Sequence, residues 1–441
     1  MIDGALDLLW AWAAEFGEYA HHEFRRRTLG DWVLRFFPLV FFLELPRYYL
    51  STVVLLFARA FGLPRYDRAA QRALLTRRPL VSVVVAGRNE SAVIQSTIRC
   101  LLDQDYPDIE IIVVDDASED EMADLARPFA RKGLIRFVKN EGSRGRGGKP
   151  TGANLGLRLA RGEFVVLLDA DTTFDRSMVR KMLAYFADPS VGAVAGNIFV
   201  LNRDTNLLSR LQTIEYAIGI DIHKRFTNVT GCALQGSGAI TAFRRAPLVA
   251  LGGWDPELAE DTDISFRMVR AGWRIAFASD AVALTEVPTN LSVLARQRAR
   301  WDRGGLRIFL GIGKRLLNPR ASNKGFAFEL WSLYFFYIFA TAIYPFYLVW
   351  LAFQGLFVFG FVMLASAVFY SALSALTLVS IRIHSQRVDR VGSLVGAALV
   401  MPYYKEYLRW VRFKAFVKEY LVIDPDDPFL PGNAWANAGR F

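Results

Sequence analysis

The chain has 441 residues, more than one ordinary domain, and 53% of them are hydrophobic, which favours a membrane protein over a soluble one. The net charge of +10 is explained by basic residues beside apolar segments, and no nucleic-acid-binding module is recognisable, so we expect no nucleic acid partner. The two cysteines lack metal-ligand spacing, which argues against a zinc site or a disulfide framework.

Residues 1–64 are predicted to form an interfacial helix followed by a membrane span. Trp10 and Trp12 precede a basic cluster, as in an amphipathic helix on a membrane surface. The apolar stretch from Phe36 to Phe61 is long enough to span a bilayer but contains Glu44. We predict a single kinked span, with a re-entrant or interfacial segment as the alternative.

Residues 65–310 have the mixed composition of a water-soluble domain, in which strand and helix patterns alternate. This alternation predicts an α/β fold with a doubly wound, mostly parallel sheet. The predicted strands are Leu80–Ala86, Glu110–Val114, Ile135–Val138 and Phe164–Leu168. Helices are predicted over Ser91–Leu102, Glu119–Arg131 and Gly152–Ala160.

Carboxylates follow two of these strands, at Asp115 and Asp116 and at Asp169 and Asp171. Ligands bind at the carboxyl ends of strands in such sheets, so we expect these side chains at one site. A divalent cation on a diphosphate takes hard oxygen ligands, which the Asp169 and Asp171 pair could supply. Turn and capping roles are the alternative for either pair.

A glycine-rich basic turn at residues 144–149 leads into a predicted helix. Its backbone amides and Lys149 could approach a phosphate group, although a solvated loop is equally compatible with this composition. The turn lacks the spacing of a Walker loop, which argues against an ATPase.

A third acidic cluster, Glu260 to Asp263, lies at the start of a predicted helix. Acidic residues also favour helix starts through the helix dipole, so part of this cluster could be capping. A group transfer to a hydroxyl needs one general base, and Asp261 is our candidate for it.

Gln297, Arg300 and Trp301 lie within one turn of a predicted helix. Arg300 could bind diphosphate oxygens, and the Trp301 ring could stack on a sugar. An interfacial helix with an aromatic anchor is the alternative.

Residues 311–441 are predicted to hold an interfacial helix, membrane helices and a C-terminal tail. The segments Glu329–Leu351 and Leu356–Ile381 are each long enough to cross a bilayer of about 30 Å. Basic residues follow the second segment, and this asymmetry predicts that the central domain lies in the cytoplasm. Val391–Ile423 is predicted to be either an interfacial helix or a third span.

Taken together and in order, these motifs resemble the processive inverting transferases of glycosyltransferase family 2, the superfamily of cellulose, chitin and hyaluronan synthases. The resemblance covers roughly residues 79–310. It rests on Val83–Glu90, Val113–Asp116, Leu168–Asp171, Ala259–Asp263 and the Gln-x-x-Arg-Trp motif at 297–301. Within the family, the likeness is strongest to bacterial poly-β-1,6-N-acetylglucosamine synthases, through Val191–Asn197, Gly238–Arg245 and Gln297–Gly305.

The resemblance implies a GT-A type nucleotide-diphospho-sugar transferase domain joined to transmembrane and interfacial helices in a bacterial inner membrane. It implies a UDP-sugar donor, Mg²⁺ or Mn²⁺, and a growing polysaccharide as acceptor and product. Membrane lipid and a small accessory membrane subunit are further implied partners.

The implied roles fall on residues of this sequence as follows. Asp261 is the base, and Asp169 and Asp171 bind the metal. The implied nucleotide-binding residues are Asn89, Glu90, Asp115, Asp116, Lys149, Asp169 and Arg300. The implied acceptor-binding residues are Gln235, Gly236, Ser237, Glu260, Gln297 and Trp301.

The sequence predicts a membrane-embedded processive transferase that polymerises N-acetylglucosamine, or next glucose, and translocates the polymer. Two other functions remain open. The same residues could transfer a single sugar to a lipid acceptor. A non-catalytic nucleotide-binding membrane subunit would require a broken acidic set, whereas this set is intact.

Overall fold

A computed structural model describes residues 2–42, 45–64, 66–140, 148–231, 233, 236–255, 259–320, 322, 324–385 and 391–421. Its described strands form one sheet in the order β3-β2-β1-β4-β7-β6-β8-β5. The strands are β1 Val81–Gly87, β2 Ile109–Asp115, β3 Arg136–Lys139, β4 Phe164–Asp169, β5 Thr173–Phe174, β6 Val191–Val200, β7 Ile240–Arg244 and β8 Arg274–Thr285.

Helices surround this sheet and extend beyond it at both ends of the chain. The first half of the chain holds α1 Ile2–Arg26, α2 Leu29–Phe42, α3 Leu45–Ala60, α4 Arg68–Arg77, α5 Ile94–Leu102, α6 Met122–Arg131, α7 Gly148–Leu159, α8 Met178–Ala184 and α9 Leu207–Tyr216. The second half holds α10 His223–Thr230, α11 Arg245–Ala250, α12 Glu260–Arg270, α13 Leu291–Ile308, α14 Lys314–Leu316, α15 Lys324–Leu333, α16 Ala340–Ala352, α17 Leu356–His384 and α18 Val395–Leu421. π-Helical turns at Ala217–Ile222, Phe309–Gly313 and Tyr334–Phe339 join neighbouring helices.

Helices cover both faces of the sheet, as a doubly wound fold requires. One core packs Val83 and Val85 of β1 against α5, α6 and α8, and another packs Val84 against α7 and α12. Every residue of β1 is buried because both of its faces are covered. This explains why its sequence is apolar except at Ser82, whose hydroxyl donates to Glu110 Oε1 over 2.5 Å.

The prediction of a mostly parallel sheet is only partly correct, because parallel and antiparallel pairs occur together. Strands β6 and β8 pair in parallel. Strands β3, β2, β1 and β4 pair in parallel. Strand β7 pairs antiparallel with both β4 and β6, and β5 pairs antiparallel with β8, so the whole sheet is mixed.

Parallel pairing brings the acidic strand ends to one edge of the sheet. Gly87 of β1 aligns with Asp115 of β2, and Ala86 aligns with Asp169 of β4. The first two acidic clusters of the sequence therefore lie at the same edge.

Within the apolar stretch at 36–61, the described residues on either side of positions 43 and 44 are helical, in α2 and α3. Residues 43 and 44, and therefore the predicted role of Glu44, lie outside the described residues. These helices pack on the distant C-terminal region. Arg35 donates to Gln354 Oε1 over 2.7 Å, and the Thr52 and Ser380 hydroxyls are 2.7 Å apart.

Among the described residues, two helical segments have the length and composition to cross a membrane: Lys324–Ala352 and Leu356–His384. Each has 29 residues, which corresponds to about 43 Å of helix. Many of their large apolar side chains are exposed, such as Phe346 at 73% and Leu364 at 63%.

The C-terminal segment is one continuous helix, α18, that passes through Pro402. Its second half is fastened to α13 by buried ion pairs. Arg303 binds Glu419 over 2.6 Å, and both side chains are less than 10% exposed. Arg412 Nε lies 3.3 Å from Asp302 Oδ1. This part of α18 therefore packs against α13.

Candidate active site

Two aspartates, Asp115 and Asp116, lie at the end of β2. Asp115 is fully buried, and its Oδ1 accepts from the Ser118 amide over 2.8 Å. Its Oδ2 has no hydrogen-bond partner among the described residues. Because leaving a buried carboxylate oxygen unpaired costs stability, Asp115 Oδ2 is suited to accept a hydrogen bond from a ligand.

Asp116 is also buried, but its oxygens are used inside the protein. Asn140 Nδ2 donates to Asp116 Oδ1 over 2.6 Å, and the Thr151 hydroxyl lies 3.3 Å from both oxygens. Asp116 thus connects the end of β2 to the first turn of α7.

Asn89 and Glu90 form the turn after β1. The Asn89 side-chain oxygen accepts from the Glu119 amide over 2.8 Å, and Asn89 has a positive φ of 60°. This oxygen therefore holds two loops together, which is a structural contact that the sequence prediction did not include. The Glu90 carbonyl starts α5 by accepting from the Ile94 amide.

Lys149, in the first turn of α7, connects three parts of the site. Its Nζ forms an ion pair with Asp169, lies 4.0 Å from Glu260 Oε1 and donates to the Gly238 carbonyl over 2.6 Å. Burial alone lowers the pKa of Lys149, but the nearby carboxylates outweigh burial and raise the pKa. Lys149 therefore carries a positive charge in the centre of the acidic cluster.

Asp169 and Asp171 lie at the end of β4. Asp171 is exposed. Desolvation and the negative charge of Asp169 raise the pKa of Asp171 to about 6. The two carboxylates repel each other, so a bound cation would stabilise them.

The start of α12 contributes Glu260 and Asp261, after Ala259 in the left-handed conformation. Asp261 Oδ2 accepts from the Gly238 amide over 3.1 Å, and Oδ1 accepts from the Thr262 amide over 2.7 Å. Burial raises the pKa of Glu260, against the opposing positive charges of Lys149 and Arg300. These contacts hold the Asp261 carboxylate in a fixed direction.

The turn before β7 contains Gly236 and Ser237. The Gly236 amide donates to Ser265 Oγ over 2.9 Å, and the Ser237 amide donates to Thr241 Oγ1 over 2.8 Å. A Cβ at Gly236 would lie 2.7 Å from Thr241 Oγ1, so this tight turn needs glycine. Gly238, which ends the turn, lies between Asp261 and Lys149.

Sequence reasoning missed Lys224, a residue of α10. Its Nζ donates to Ser237 Oγ over 2.5 Å and lies 3.5 Å from the Gly236 carbonyl. Burial lowers the pKa of Lys224 to about 8, with Asp261 opposing the shift. No local motif surrounds Lys224, so only the folding of α10 onto this turn reveals it.

Helix α13 carries the Gln-x-x-Arg-Trp motif. Gln297 Oε1 and Arg300 Nε are buried without a hydrogen-bond partner among the described residues, as expected for groups that bind a ligand. Trp301 is 41% exposed. The charge of Arg300 acts on Glu260, which places α13 beside the start of α12.

Two parts of the predicted site lie outside the described residues. These are Gln235, from the turn before β7, and residues 144–147 of the basic turn. The contacts described above join Lys149, Asp169, Glu260 and Asp261 around the turn at Gly238. Asp115 and Asp169 lie at the same edge of the sheet.

The two carboxylates fit a divalent cation that is also coordinated by a bound phosphate. Among the described residues, no three His, Cys, Asp or Glu side chains converge as a metal cage. Mg²⁺ is commonly held by one or two carboxylates together with substrate phosphates and water. Asp169 and Asp171 meet that requirement, with Lys149 beside them for the phosphate charge.

Similar proteins were found by sequence. The poly-beta-1,6-N-acetyl-D-glucosamine synthase of Staphylococcus epidermidis is 34% identical over 232 residues, 52% of this chain and 55% of that protein. The synthase of the same name from Staphylococcus aureus strain COL is 34% identical over the same share of each chain. The match spans about half the length of these curated relatives.

A similar fold was found among solved structures. The mannosyltransferase PcManGT from Pyrobaculum calidifontis, in complex with GDP-Man and Mn²⁺, has a TM-score of 0.58 at 21% identity. The similarity covers 87% of this chain and 98% of that chain.

The family model described as "Glycosyltransferase like family 2" matches residues 78–304, just over half of the chain. This range contains β1 to β8 and the Gln-x-x-Arg-Trp motif. The chain therefore belongs to glycosyltransferase family 2 and has its GT-A fold.

Proposed function

We propose that this chain is a membrane-embedded, processive, inverting β-glycosyltransferase that polymerises N-acetylglucosamine from its UDP-sugar. One observation carries the proposal most directly. The backbone of Gly238 binds both Asp261, through its amide, and Lys149, through its carbonyl. The proposed base and the proposed phosphate-binding cation are thereby held by the same residue of one turn.

The nucleoside end of the donor is assigned to Asp115 and Asp116. The unpaired Oδ2 of Asp115 would accept the imide N–H of uracil. Asp116 would act mainly by positioning, because Asn140 and Thr151 already bind its oxygens. Asn89 would stabilise the loop beside this pocket through Glu119, and Glu90 would line it.

The diphosphate is assigned to the space between the end of β4, Lys149 and Arg300. Asp169 and Asp171 would hold Mg²⁺ or Mn²⁺, which neutralises the charge that develops on the leaving diphosphate. Lys149 and Arg300 would donate charge-assisted hydrogen bonds to its oxygens. The unpaired Nε of Arg300 supports this role.

Asp261 is assigned as the general base. Its carboxylate removes the proton from the acceptor hydroxyl as that oxygen bonds to the anomeric carbon and the bond to the diphosphate breaks. UDP leaves, and attack from the face opposite the diphosphate inverts the configuration. The Gly238 and Thr262 amides orient the carboxylate.

The acceptor is assigned to the turn before β7 and to α13. Gln235, Gly236 and Ser237 would lie beneath the terminal sugar, with Glu260 beside it. Gln297 would form a hydrogen bond with the sugar next to the terminal one. The exposed ring of Trp301 would stack on a sugar ring.

Membrane embedding is proposed from the helices around this domain. The apolar segments Lys324–Ala352 and Leu356–His384 are long enough to span, and their exposed Phe346 and Leu364 are suited to lipid. The proposed division is 1–64, 65–310 and 311–441, with the central domain in the bacterial cytoplasm and the polymer leaving through the membrane helices. Lipid and an accessory membrane subunit are the proposed partners.

The test is product sizing with the purified protein in membranes. It would receive labelled UDP-N-acetylglucosamine or UDP-glucose with Mg²⁺ or Mn²⁺, beside the variant Asp261→Asn. We expect a long polymer from UDP-N-acetylglucosamine and a loss of turnover of roughly 10²- to 10⁴-fold in the variant. UDP binding should persist in the variant.

Three outcomes would contradict parts of the proposal. Wild-type turnover by Asp261→Asn would remove the base assignment. A product with one sugar on a lipid would replace the polymerase with a glycolipid transferase. UDP binding without turnover, with both donors, would favour a non-catalytic subunit.

A further inference from the structure

The indole of Trp301 rests on a buried arginine that the Gln-x-x-Arg-Trp motif does not specify. The Cζ atom of Arg298 lies 4.4 Å from the centre of the Trp301 ring. Arg298 is 8% exposed, whereas Trp301 is 41% exposed. One face of the indole is therefore covered by a guanidinium group, and a substantial part of the ring remains accessible.

Arg298 is held by residues from two other helices. Its Nη2 binds Glu215 Oε2 of α9 over 2.9 Å, and the Tyr404 hydroxyl of α18 donates to the same oxygen over 2.6 Å. The guanidinium also lies 5.9 Å from the ring centre of Tyr216. Three helices that are distant in sequence thus converge on one arginine.

This arrangement restricts how the indole can move. A guanidinium stacked on an aromatic ring favours one relative orientation, and a buried ion pair fixes the guanidinium itself. Glu215 binds Arg298, and Tyr404 binds Glu215, so both can influence Trp301 through Arg298. Tyr404 is 4% exposed, so its hydroxyl gains little from water if the contact is lost.

We propose that Arg298, clamped by Glu215 and Tyr404, is the positioning residue that orients Trp301 as the platform for the acceptor sugar. The inference rests on the proposed function, because it takes Trp301 as the acceptor platform. It adds that α18, outside the matched family region of 78–304, contributes to the orientation of the platform through Tyr404.

The test compares acceptor binding with donor binding in the full-length protein. The conservative variant is Tyr404→Phe, which removes one hydrogen bond, and the stronger variant is Arg298→Met. Matched controls are Tyr403→Phe, the 64% exposed neighbour of Tyr404, and Arg296→Met, an exposed arginine of α13. Binding is measured in the Asp261→Asn background, in which turnover is strongly reduced, and without a sugar donor. A β-1,6-linked N-acetylglucosamine oligosaccharide serves as the binding probe.

We expect Arg298→Met to weaken oligosaccharide binding about 3- to 30-fold. Tyr404→Phe should weaken it less, and Arg298→Lys should fall between Arg298→Met and wild type because the charge remains without the planar stack. UDP affinity should stay within about 2-fold of wild type in all of them. In the active background, the same variants should raise the acceptor KM and shorten the polymer while kcat with saturating acceptor is kept.

Two results would overturn the inference. Unchanged oligosaccharide affinity in both Tyr404→Phe and Arg298→Met would remove the positioning role. Equal losses of UDP and oligosaccharide affinity would show that the cluster only maintains the fold. If the wild type binds the oligosaccharide but makes no polymer, the polymerase proposal fails. The role of Arg298 is then still tested, because the variants are compared by their oligosaccharide affinity.

Discussion

Gly238 and Asp261 are joined by a hydrogen bond of 3.1 Å from the Gly238 amide to Asp261 Oδ2. The turn before β7 thus fixes the carboxylate that begins α12, although 23 residues separate the two in sequence. This contact defines the space in front of the proposed base and leads to the first prediction.

Gly238→Ala should lower transfer without unfolding the protein. A Cβ at this position would lie 3.5 Å from Asp261 Oδ2 and 3.8 Å from Lys149 Nζ, which is ordinary van der Waals contact. The methyl group would occupy part of the space through which an acceptor hydroxyl reaches Asp261. We expect kcat/KM for the acceptor to fall at least about 10-fold, a change of about 1.4 kcal/mol in activation free energy. If Gly238→Ala transferred sugar at the wild-type rate, the acceptor hydroxyl would not pass beside Gly238.

Gly156→Ala, in contrast, should destabilise the fold. Its Cβ would lie 2.3 Å from Val84 Cγ1, because α7 packs closely on β1 at this glycine. Overpacking of this kind costs about 1–3 kcal/mol, more than the helix propensity gained by replacing glycine. Thermal unfolding in detergent should show a lower Tm for Gly156→Ala, partly restored by Val84→Ala. Gly219→Ala is the matched control, because no atom lies within 4 Å of its added Cβ. A higher Tm for Gly156→Ala would contradict the packing argument.

Lys149→Met should weaken UDP binding. The substitution removes the cation that pairs with Asp169 and approaches Glu260. The net charge of the site becomes more negative, which repels the anionic diphosphate. Loss of a charge-assisted hydrogen bond costs about 1.5–3 kcal/mol, which corresponds to a roughly 10- to 150-fold rise in the UDP Kd. Titration calorimetry with UDP and Mg²⁺ measures this change. Lys132→Met, at an exposed position after α6, serves as the control. Equal Kd values for the two variants would remove Lys149 from the diphosphate site.

Lys224 should make stability rise with pH in the alkaline range. Its folded pKa of about 8 lies below the ordinary value of 10.5, so the unfolded chain binds more protons between these values. The cost of burying the charge is fully present below about pH 8 and is relieved as the pH rises towards 10.5. It is at most on the order of 3 kcal/mol.

The measurement is Tm against pH for wild type and Lys224→Met. Between pH 8 and 10, we expect Tm to increase less, or to decrease more steeply, in the variant than in wild type, because the variant lacks the Lys224 contribution. Tyrosines and cysteines titrate in both proteins, so their effect cancels in the difference. Identical pH profiles would show that Lys224 keeps an ordinary pKa in the folded protein.

Local patterns were sufficient to predict the parallel half of the sheet. β1, β2, β3 and β4 each lie within two residues of their predicted bounds, because buried strands of a parallel sheet are rich in β-branched and other apolar residues. Since parallel strands share their carboxyl edge, the same patterns predicted that Asp115 and Asp169 would lie together.

The antiparallel insertion of β7 was not predictable from its own residues. Ile240–Arg244 is a short apolar run that would suit a parallel strand equally well. Its direction is decided by its two neighbours, β4 and β6, and by the tight turn at Gly236 that reverses the chain beside β4.

By itself, the sequence determined which residue types carry the chemistry and their order along the chain: the aspartates after β2 and β4, Asp261, and Gln297 to Trp301. Only the tertiary structure decided that Lys224 supports the turn at Ser237 and that Glu215 and Tyr404 clamp Arg298 beneath Trp301. The physical reason is that strand and helix patterns depend on neighbouring residues, whereas these contacts join side chains up to 189 positions apart and exist only after the helices pack.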